Sequence, residues 1–182
     1  MPVATRMTVK EFLARDWPRG TQLVRGEVVV NQPGLVHQRA LLRILEALRG
    51  WVLAGAGRGE AGMPIDVRIG DELYAPDVWW MNEGHRPPPG ADRLDGVPDL
   101  VVEVRSPSTW RFDVGPKRAT YEQAGVSELW LVDTAAPSVL VYRRSEASHP
   151  GFDVALEVAA PHLLTSPLLS GFTLPVDTIF TA

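Results

Sequence analysis

The stretch PDLVVEVRSPST, residues 98–109, carries an acidic side chain in the middle of an apolar segment. The Val and Leu residues around Glu103 predict a buried β-strand. An ionised carboxylate in such a strand is costly unless it pairs with a positive group or binds a cation. Asp77 is similar, because it follows Pro76 and directly precedes the apolar run VWWM. The two acids are candidates for one cation site, and a salt-bridged glutamate and a turn-capping aspartate are the structural alternatives.

A cation held by two acids suits phosphodiester hydrolysis. That reaction needs an activated water and a positive charge that neutralises the charge developing on the phosphate. Mg²⁺ prefers carboxylate oxygens and keeps several of its waters, so one or two acids on adjacent strands are enough to hold it. If the strands of Asp77 and Glu103 are neighbours in a sheet, both carboxylates can point into one cleft.

The first half of the chain supplies a helix, strands and a second helix. Thr8 and Glu11 have the spacing of a capping box and predict a helix over residues 8–15. Apolar residues between Leu35 and Leu53 recur at the spacing of an amphipathic helix packed on a sheet. Further segments predict a strand pair in TQLVRGEVVVN, single strands in PIDVRIG and LYAPDVWWM, and an exposed Pro/Gly loop over residues 83–98.

The second half predicts another helix and a hairpin. We expect a helix to begin near Asp113, because Pro116 is tolerated only in a first turn, and to end at Gly125. The strands ELWLVD and SVLVYRR follow as a hairpin, and GFDVALEV adds another strand. This order predicts an α/β (α+β) fold with a mixed β-sheet core flanked by helices.

Composition limits the class of protein. A chain of 182 residues is expected to form one domain over residues 1–182. It has no cysteine, which excludes disulfides and thiolate metal sites and suits a cytoplasmic protein. No apolar run approaches the roughly 18 to 20 residues that span a bilayer, so we expect no membrane association. The net charge of −4 argues against a broad basic surface for nucleic acid, but it permits a local basic cleft.

Lysine is rare in this chain. Only Lys10 and Lys117 are lysines, whereas sixteen residues are arginines. In a chain that otherwise uses arginine, a lysine early in the helix that follows the Glu103 strand is a candidate functional residue.

Five stretches of the sequence resemble the Uma2 family (formerly DUF820), which is described as restriction endonucleases of the PD-(D/E)XK nuclease superfamily. They occur in family order and cover most of the chain: LVRGEVVVNQPGLVHQRALLRILEAL, MPIDVRI, YAPDVWWM, PDLVVEVRSPSTWRFDVGPKRATYEQAGVSELWLVD and SPLLSGFTLPVDTIF. The resemblance implies a restriction-endonuclease-like fold and an endonuclease that uses Mg²⁺, or Mn²⁺, to cleave DNA. It implies Asp77 and Glu103 as metal ligands and Lys117 as the third catalytic residue, with no organic cofactor.

The sequence departs from the superfamily pattern at Arg105. A lysine nominally stands there, two residues after the second acid and on the same face of the strand. Arginine stays protonated and cannot act as a base, so Arg105 is expected to hold a phosphate or to brace Glu103. The lysine that fits the family is Lys117, expected to position the attacking water and neutralise transition-state charge.

Three further residues are auxiliary candidates. Glu27 is either an extra acid in the cleft or a glutamate at a hairpin edge. His37 is either a phosphate contact or a structural residue at the start of the long helix. Tyr121 lies one turn after Lys117 and shares its helix face, where packing is its expected role.

Two alternatives to a nuclease remain open. One is a catalytically degenerate nuclease fold that serves as a nucleic-acid-binding or protein-binding module, which the acidic net charge and Arg105 favour. The other is a dimeric structural partner in a larger assembly. For an active nuclease we expect a homodimer, because cutting both strands of a duplex usually requires two active sites.

Overall fold

The structure is a computed structural model, and it describes residues 6–18, 20–94 and 96–181. Five α-helices lie in these residues: α1 (Val9–Leu13), α2 (Leu35–Leu53), α3 (Trp110–Phe112), α4 (Arg118–Gln123) and α5 (Val176–Phe180). A π-helical turn, Asp113–Lys117, joins α3 to α4, and a 3-10 turn spans Glu83–His85. Among the helices of the described residues, none combines the length and apolar character needed to cross a membrane.

Thirteen strands are present in the described residues. They are β1 (Thr21–Val24), β2 (Glu27–Val30), β3 (Glu60–Gly62), β4 (Asp66–Ile69), β5 (Glu72–Tyr74), β6 (Val78–Met81), β7 (Arg93–Leu94), β8 (Leu100–Val104), β9 (Glu128–Asp133), β10 (Ser138–Arg143), β11 (Val154–Ala159), β12 (Leu163–Leu164) and β13 (Leu174–Pro175).

The strands form a mixed α/β architecture, as the sequence predicts. The larger sheet has six strands in the order β11-β10-β9-β8-β6-β3, and β8 and β9 are its parallel pair. A five-stranded sheet has the order β2-β1-β5-β4-β7, and β12 pairs with β13. Strand β8, which carries Glu103, is therefore central in the larger sheet and is flanked by β6 and β9.

The two faces of β8 pack against different helices. Val102 and Val104 belong to an apolar core that includes Ile44 and Leu48 of α2. Val101 belongs to a second apolar cluster, which includes Tyr121 of α4. Since successive side chains of a strand point to opposite faces, Glu103 shares the α4 face with Val101.

Several local predictions are confirmed. The Thr8 side chain accepts a hydrogen bond from the Glu11 backbone, and the Glu11 carboxylate accepts from the Thr8 backbone, which completes the capping box. The first hairpin turns at Arg25-Gly26, where both residues have positive φ. Helix α2 has the predicted bounds, and Gly125 follows the C-cap of α4 with φ 93°.

The prediction of one strand over LYAPDVWWM is wrong. The segment splits at Ala75–Pro76–Asp77 into β5 and β6, which belong to different sheets. Pro76 has no N–H to donate to a sheet ladder, so the strand pairing is interrupted there. Asp77 therefore lies at the junction between the two sheets.

Two other boundaries also differ from the prediction. The helix expected to begin at Asp113 starts at Trp110, and Pro116 lies inside the helical segment rather than in its first turn. The π-helical turn contains this proline, which has no N–H to donate the regular hydrogen bond of an α-helix. The stretch 83–98, predicted as an exposed loop, contains the 3-10 turn and β7, and Leu94 within it is buried.

Candidate active site

Asp77 and Glu103 lie opposite each other at the ends of β6 and β8. These strands are antiparallel, with Val78 opposite Val102, so the next pair in the same register is Asp77 and Glu103. Directly opposite residues of an antiparallel pair point to the same face of the sheet. The negative charge of Asp77 also helps to raise the pKa of Glu103. The two acids thus share one environment.

Lys117 and Tyr121 both contact Glu103. Lys117 Nζ lies 2.6 Å from Glu103 Oε1, and the Tyr121 hydroxyl donates a hydrogen bond of 2.7 Å to the same oxygen. All three side chains are buried. The structure therefore brings Lys117, from the helix, to the central strand that carries Glu103. Tyr121 does more than pack, because its hydroxyl fixes one carboxylate oxygen.

Asp113 is a site residue that the sequence reasoning missed. Its Oδ1 lies 3.0 Å from Lys117 Nζ, and its side chain is as buried as the lysine. The two residues stand at the ends of the π-helical turn, four positions apart. An Asp and a Lys at this spacing are a recognisable helical ion pair, and this signal was available in the sequence.

Burial and neighbouring charges set the protonation of the cluster. Burial raises the pKa of Glu103 to about 8, an effect that the charge of Lys117 opposes and the charges of Asp113 and Asp77 reinforce. Burial lowers the pKa of Lys117, but the carboxylates of Asp113 and Glu103 outweigh it and raise the pKa overall. Burial, with Glu103 beside it, raises the pKa of Tyr121 well above its usual value. These shifts favour the charged form of Lys117 and the neutral form of Tyr121.

His37 fixes Asp77 on the other side of the site. Asp77 Oδ2 accepts a hydrogen bond of 2.7 Å from the Val104 backbone and lies 3.1 Å from His37 Nε2. His37 is buried in the first turn of α2. Because its Nε2 is used by Asp77, His37 supports that carboxylate instead of offering this nitrogen to a phosphate.

A groove of about 1050 Å³ leads to this side of the site. Asp77 and His37 line it, whereas Glu103 and Lys117 are not among the described residues of its wall. Other parts of the wall are apolar and include Trp17, Leu41 and Met63. Of the two acids, Asp77 is thus the one that lines the groove.

Arg105 and Glu27 lie outside the cluster. The Arg105 guanidinium donates hydrogen bonds of 2.9 and 3.0 Å to both carboxylate oxygens of Asp133, and it lies over the Trp110 ring. The expectation that Arg105 braces Glu103 is therefore wrong, since Lys117 has that role. Glu27 is exposed at the start of β2, where it pairs with Val24 in the hairpin, and within the described part of the chain its side chain makes no hydrogen bond or ion pair. This position matches the hairpin-edge alternative.

Asp77 and Glu103 each have one carboxylate oxygen outside the hydrogen bonds of the cluster. Hydrogen bonds within the described residues use Asp77 Oδ2 and Glu103 Oε1, which leaves Asp77 Oδ1 and Glu103 Oε2 outside them. Glu103 and Asp113 lie beside the one buried lysine, and Asp77 lies opposite Glu103, so the cluster holds more acids than basic groups. Within residues 6–18, 20–94 and 96–181, no group of three or more His, Asp or Glu could hold a metal ion. Two carboxylates are fewer than such a group, so a Mg²⁺ or Mn²⁺ ion held by Asp77 and Glu103 would need water for the rest of its ligands.

The fold and the buried acid–lysine cluster together define a protein of the restriction-endonuclease-like class. The model of the Uma2 family, described as "Putative restriction endonuclease", matches residues 10–177. Because this match covers most of the chain, the protein belongs to the Uma2 family.

A solved structure has the same fold. It is described as a "putative nuclease belonging to DUF820 from Anabaena variabilis", and it is 19% identical with a TM-score of 0.81. The match covers 96% of this chain and 97% of that one. No curated protein matches the chain significantly.

Proposed function

We propose that this protein is a Mg²⁺-dependent or Mn²⁺-dependent endonuclease that hydrolyses phosphodiester bonds of DNA. The observation that carries the proposal is the buried cluster of Asp77, Glu103 and Lys117, in a chain that belongs to a family described as restriction endonucleases. Structural ion pairs also bury acids beside lysines, but this cluster holds more acids than its one lysine can neutralise. That imbalance favours an added cation.

Each residue has a defined role in the proposal. Asp77 and Glu103 are the residues that would hold the cation. The bound cation supplies charge neutralisation at the phosphate and lowers the pKa of a bound water. Lys117, a permanent cation beside Glu103, orients the attacking water and stabilises the charge that develops in the transition state. The water oxygen bonds to phosphorus as the bond to the leaving sugar oxygen breaks.

Access and protonation follow from the geometry. The scissile phosphate approaches from the groove side, where Asp77 is the first acid of the cluster. A cation would need the ionised form of Glu103, which burial disfavours by raising the pKa of this carboxyl to about 8. Lys117 keeps its charge throughout, because Asp113 remains beside it when the cation engages Glu103.

The first test is cleavage of plasmid and short DNA duplexes with Mg²⁺ or Mn²⁺. We expect Glu103→Gln and Asp77→Asn to lower the rate by roughly a thousandfold, the upper range for losing one charge-stabilising group. Glu128→Gln is the matched control, because it changes a buried carboxylate outside the cluster to an amide. If Glu103→Gln cleaves like Glu128→Gln, Glu103 is not part of the active site.

The role of Lys117 has its own matched control. Lys117→Arg keeps the charge but changes its hydration and geometry, and we expect it to be nearly inactive with DNA binding largely retained. Lys10→Arg makes the same change at the other lysine of the chain, which is exposed in α1. A Lys117→Arg protein as active as Lys10→Arg would remove Lys117 from the mechanism.

A catalytically degenerate binding module is the second candidate. The observation that favours it is the closure of the cluster, since Lys117 and Tyr121 both occupy one oxygen of Glu103 and all three side chains are buried. This candidate predicts binding of DNA or a partner protein without cleavage by any divalent cation. Failure of the parent protein to cleave duplex, single-stranded DNA or RNA, despite intact folding, would favour it.

A further inference from the structure

A chain of buried hydroxyl groups leads from the end of β8 to Asp113. Ser106 Oγ and Thr109 Oγ1 are 2.7 Å apart, and Thr109 Oγ1 donates to Asp113 Oδ2 at 3.3 Å. Ser106 is 0% exposed, Thr109 4% and Asp113 2%. These hydroxyls belong to the SPST stretch that directly follows the Glu103 strand. Their contacts direct them toward Asp113.

Asp113 connects this hydroxyl chain to Lys117. One of its oxygens accepts from Thr109, and the other lies 3.0 Å from Lys117 Nζ. The amine is therefore held from two directions, by Asp113 from its own helical segment and by Glu103 from β8. The Tyr74 ring lies beneath it, with its centroid 5.5 Å from Nζ.

A carboxylate at position 113 is electrostatically unfavourable for Glu103. It adds a third buried acid to a cluster that holds one buried lysine. An asparagine would fit the same space without that repulsion. Asp113 gives Lys117 a second carboxylate partner, which would keep the amine in place if a cation competed with it for Glu103.

We propose that Asp113, oriented by Thr109 and Ser106, is a positioning residue that holds the Lys117 amine at the reacting centre when Glu103 binds the cation. This inference rests on the proposed nuclease function for its catalytic consequence. The restraint of the Lys117 amine by Asp113 is a structural claim that can be tested without measuring cleavage.

The restraint can be tested by NMR because the chain has only two lysines. In protein labelled with ¹⁵N-lysine, the buried Lys117 ammonium group is expected to give a slowly exchanging signal, whereas the exposed Lys10 exchanges rapidly. With saturating Mg²⁺, Asp113→Asn and Thr109→Val should broaden the Lys117 signal or remove it. Glu128→Gln, which alters a buried carboxyl group elsewhere, should leave that signal as in the parent.

The kinetic consequence is a loss of turnover without a loss of substrate binding. We expect Asp113→Asn to lower kcat by about tenfold to a hundredfold, the range for a residue that orients an active-site group, with KM little changed. Thr109→Val should lower kcat by about fivefold, because it removes one hydrogen bond to Asp113. Thr178→Val is the control for a lost threonine hydroxyl, since Thr178 lies in α5 and bonds to Pro175.

The outcomes separate this proposal from the proposed function. If the parent cleaves DNA but Asp113→Asn retains both the Lys117 signal and the parental kcat, the positioning role is overturned and the nuclease function stands. If the parent does not cleave, the NMR result alone decides the restraint. If Asp113→Asn does not fold, Thr109→Val decides the matter, and a folded Thr109→Val protein with a parental Lys117 signal overturns the proposal.

Discussion

Two buried glutamates on neighbouring strands have different electrostatic surroundings. Glu103 lies in β8 and Glu128 begins β9, the parallel neighbour of β8. Both are almost completely buried, with 3% and 0% exposure. Glu128 is paired with Leu100, whose side chain packs in the α2 core, whereas Glu103 faces α4. The two carboxyl groups thus lie on opposite faces of the same sheet.

Each carboxylate oxygen of Glu128 accepts one hydrogen bond. Trp130 Nε1 donates 2.6 Å to Oε1, and the Ser166 hydroxyl donates 2.8 Å to Oε2. Burial raises the pKa of Glu128, and these hydrogen bonds, together with the charge of Arg143, counteract part of that rise. Glu128 is a satisfied structural acid that ties β9 to the segment around Ser166.

The two partners of Glu103, in contrast, contact the same carboxylate oxygen. Lys117 and Tyr121 share one oxygen, and the charges of Asp113 and Asp77 add to the pKa-raising effect of burial. Burial of an acid therefore does not distinguish a functional site from a structural one in this sheet. The distinguishing feature is whether the surrounding groups leave negative charge and a free oxygen.

The two glutamates should differ most in the loss of unfolding free energy that follows when one partner of each is removed. Lys117→Met leaves the buried acids without their cation, and we expect a loss of about 3 to 5 kcal/mol in the free energy of unfolding. Ser166→Ala removes a neutral donor from Glu128 and should cost about 1 to 2 kcal/mol. Urea denaturation above the pKa of Glu103, without divalent cation, measures both. Equal losses for the two variants would mean that the Glu103 cluster is no more charged than the Glu128 cluster.

A divalent cation should stabilise the folded protein through the Glu103 cluster and should not act through the Glu128 cluster. A cation present at about 100 times its Kd adds roughly 2.7 kcal/mol to the folded state. We expect Mg²⁺ or Mn²⁺ to raise the Tm of the parent and of Glu128→Gln, but not of Glu103→Gln or Asp77→Asn. A shift that survives both cluster substitutions would locate the cation elsewhere in the protein.

Local sequence signals predicted much of the scaffold. The spacing of apolar residues from Leu35 to Leu53 predicted the long helix correctly, because the buried residues of this helix face one core. Arg25-Gly26 predicted the first hairpin turn, since both positions need a backbone that glycine adopts readily. The family pattern identified Asp77, Glu103 and Lys117, which the fold brings together. Their catalytic roles stay predictions.

The features that the sequence did not reveal depend on long-range pairing or on unusual turns. Arg105 finds Asp133 because β8 and β9 are parallel neighbours, and this register is not readable from either strand alone. Asp113 contacts Lys117 across a π-helical turn that contains Pro116. Sequence rules place a proline in the first turn of a helix, so they predict a helix start here instead of a turn inside a helical segment. Glu128 reads as an ordinary first residue of a strand, and its burial depends on Ser166 from a distant segment.

The pH dependence of stability should differ between the two glutamates as well. The folded-state pKa of Glu103, about 8, lies above its ordinary value of 4.5, so the folded protein binds more protons between these values. This contribution to stability is complete below pH 4.5 and is lost as the pH rises through about 8. Without divalent cation, Glu103→Gln should remove this decline, which is at most about 1.4 kcal/mol per pH unit.

Glu128→Gln provides the comparison for this measurement. Burial raises the pKa of Glu128 too, so its contribution has the same sign, but the decline due to Glu103 should persist in Glu128→Gln. Saturating Mg²⁺ should abolish the decline in the parent over the same range, because Glu103 is then ionised in the folded and the unfolded protein alike. Chemical denaturation across this pH range, with and without Mg²⁺, measures the effect. A decline that persists in Glu103→Gln, or that Mg²⁺ leaves unchanged in the parent, would contradict a cation-binding Glu103 with a raised pKa.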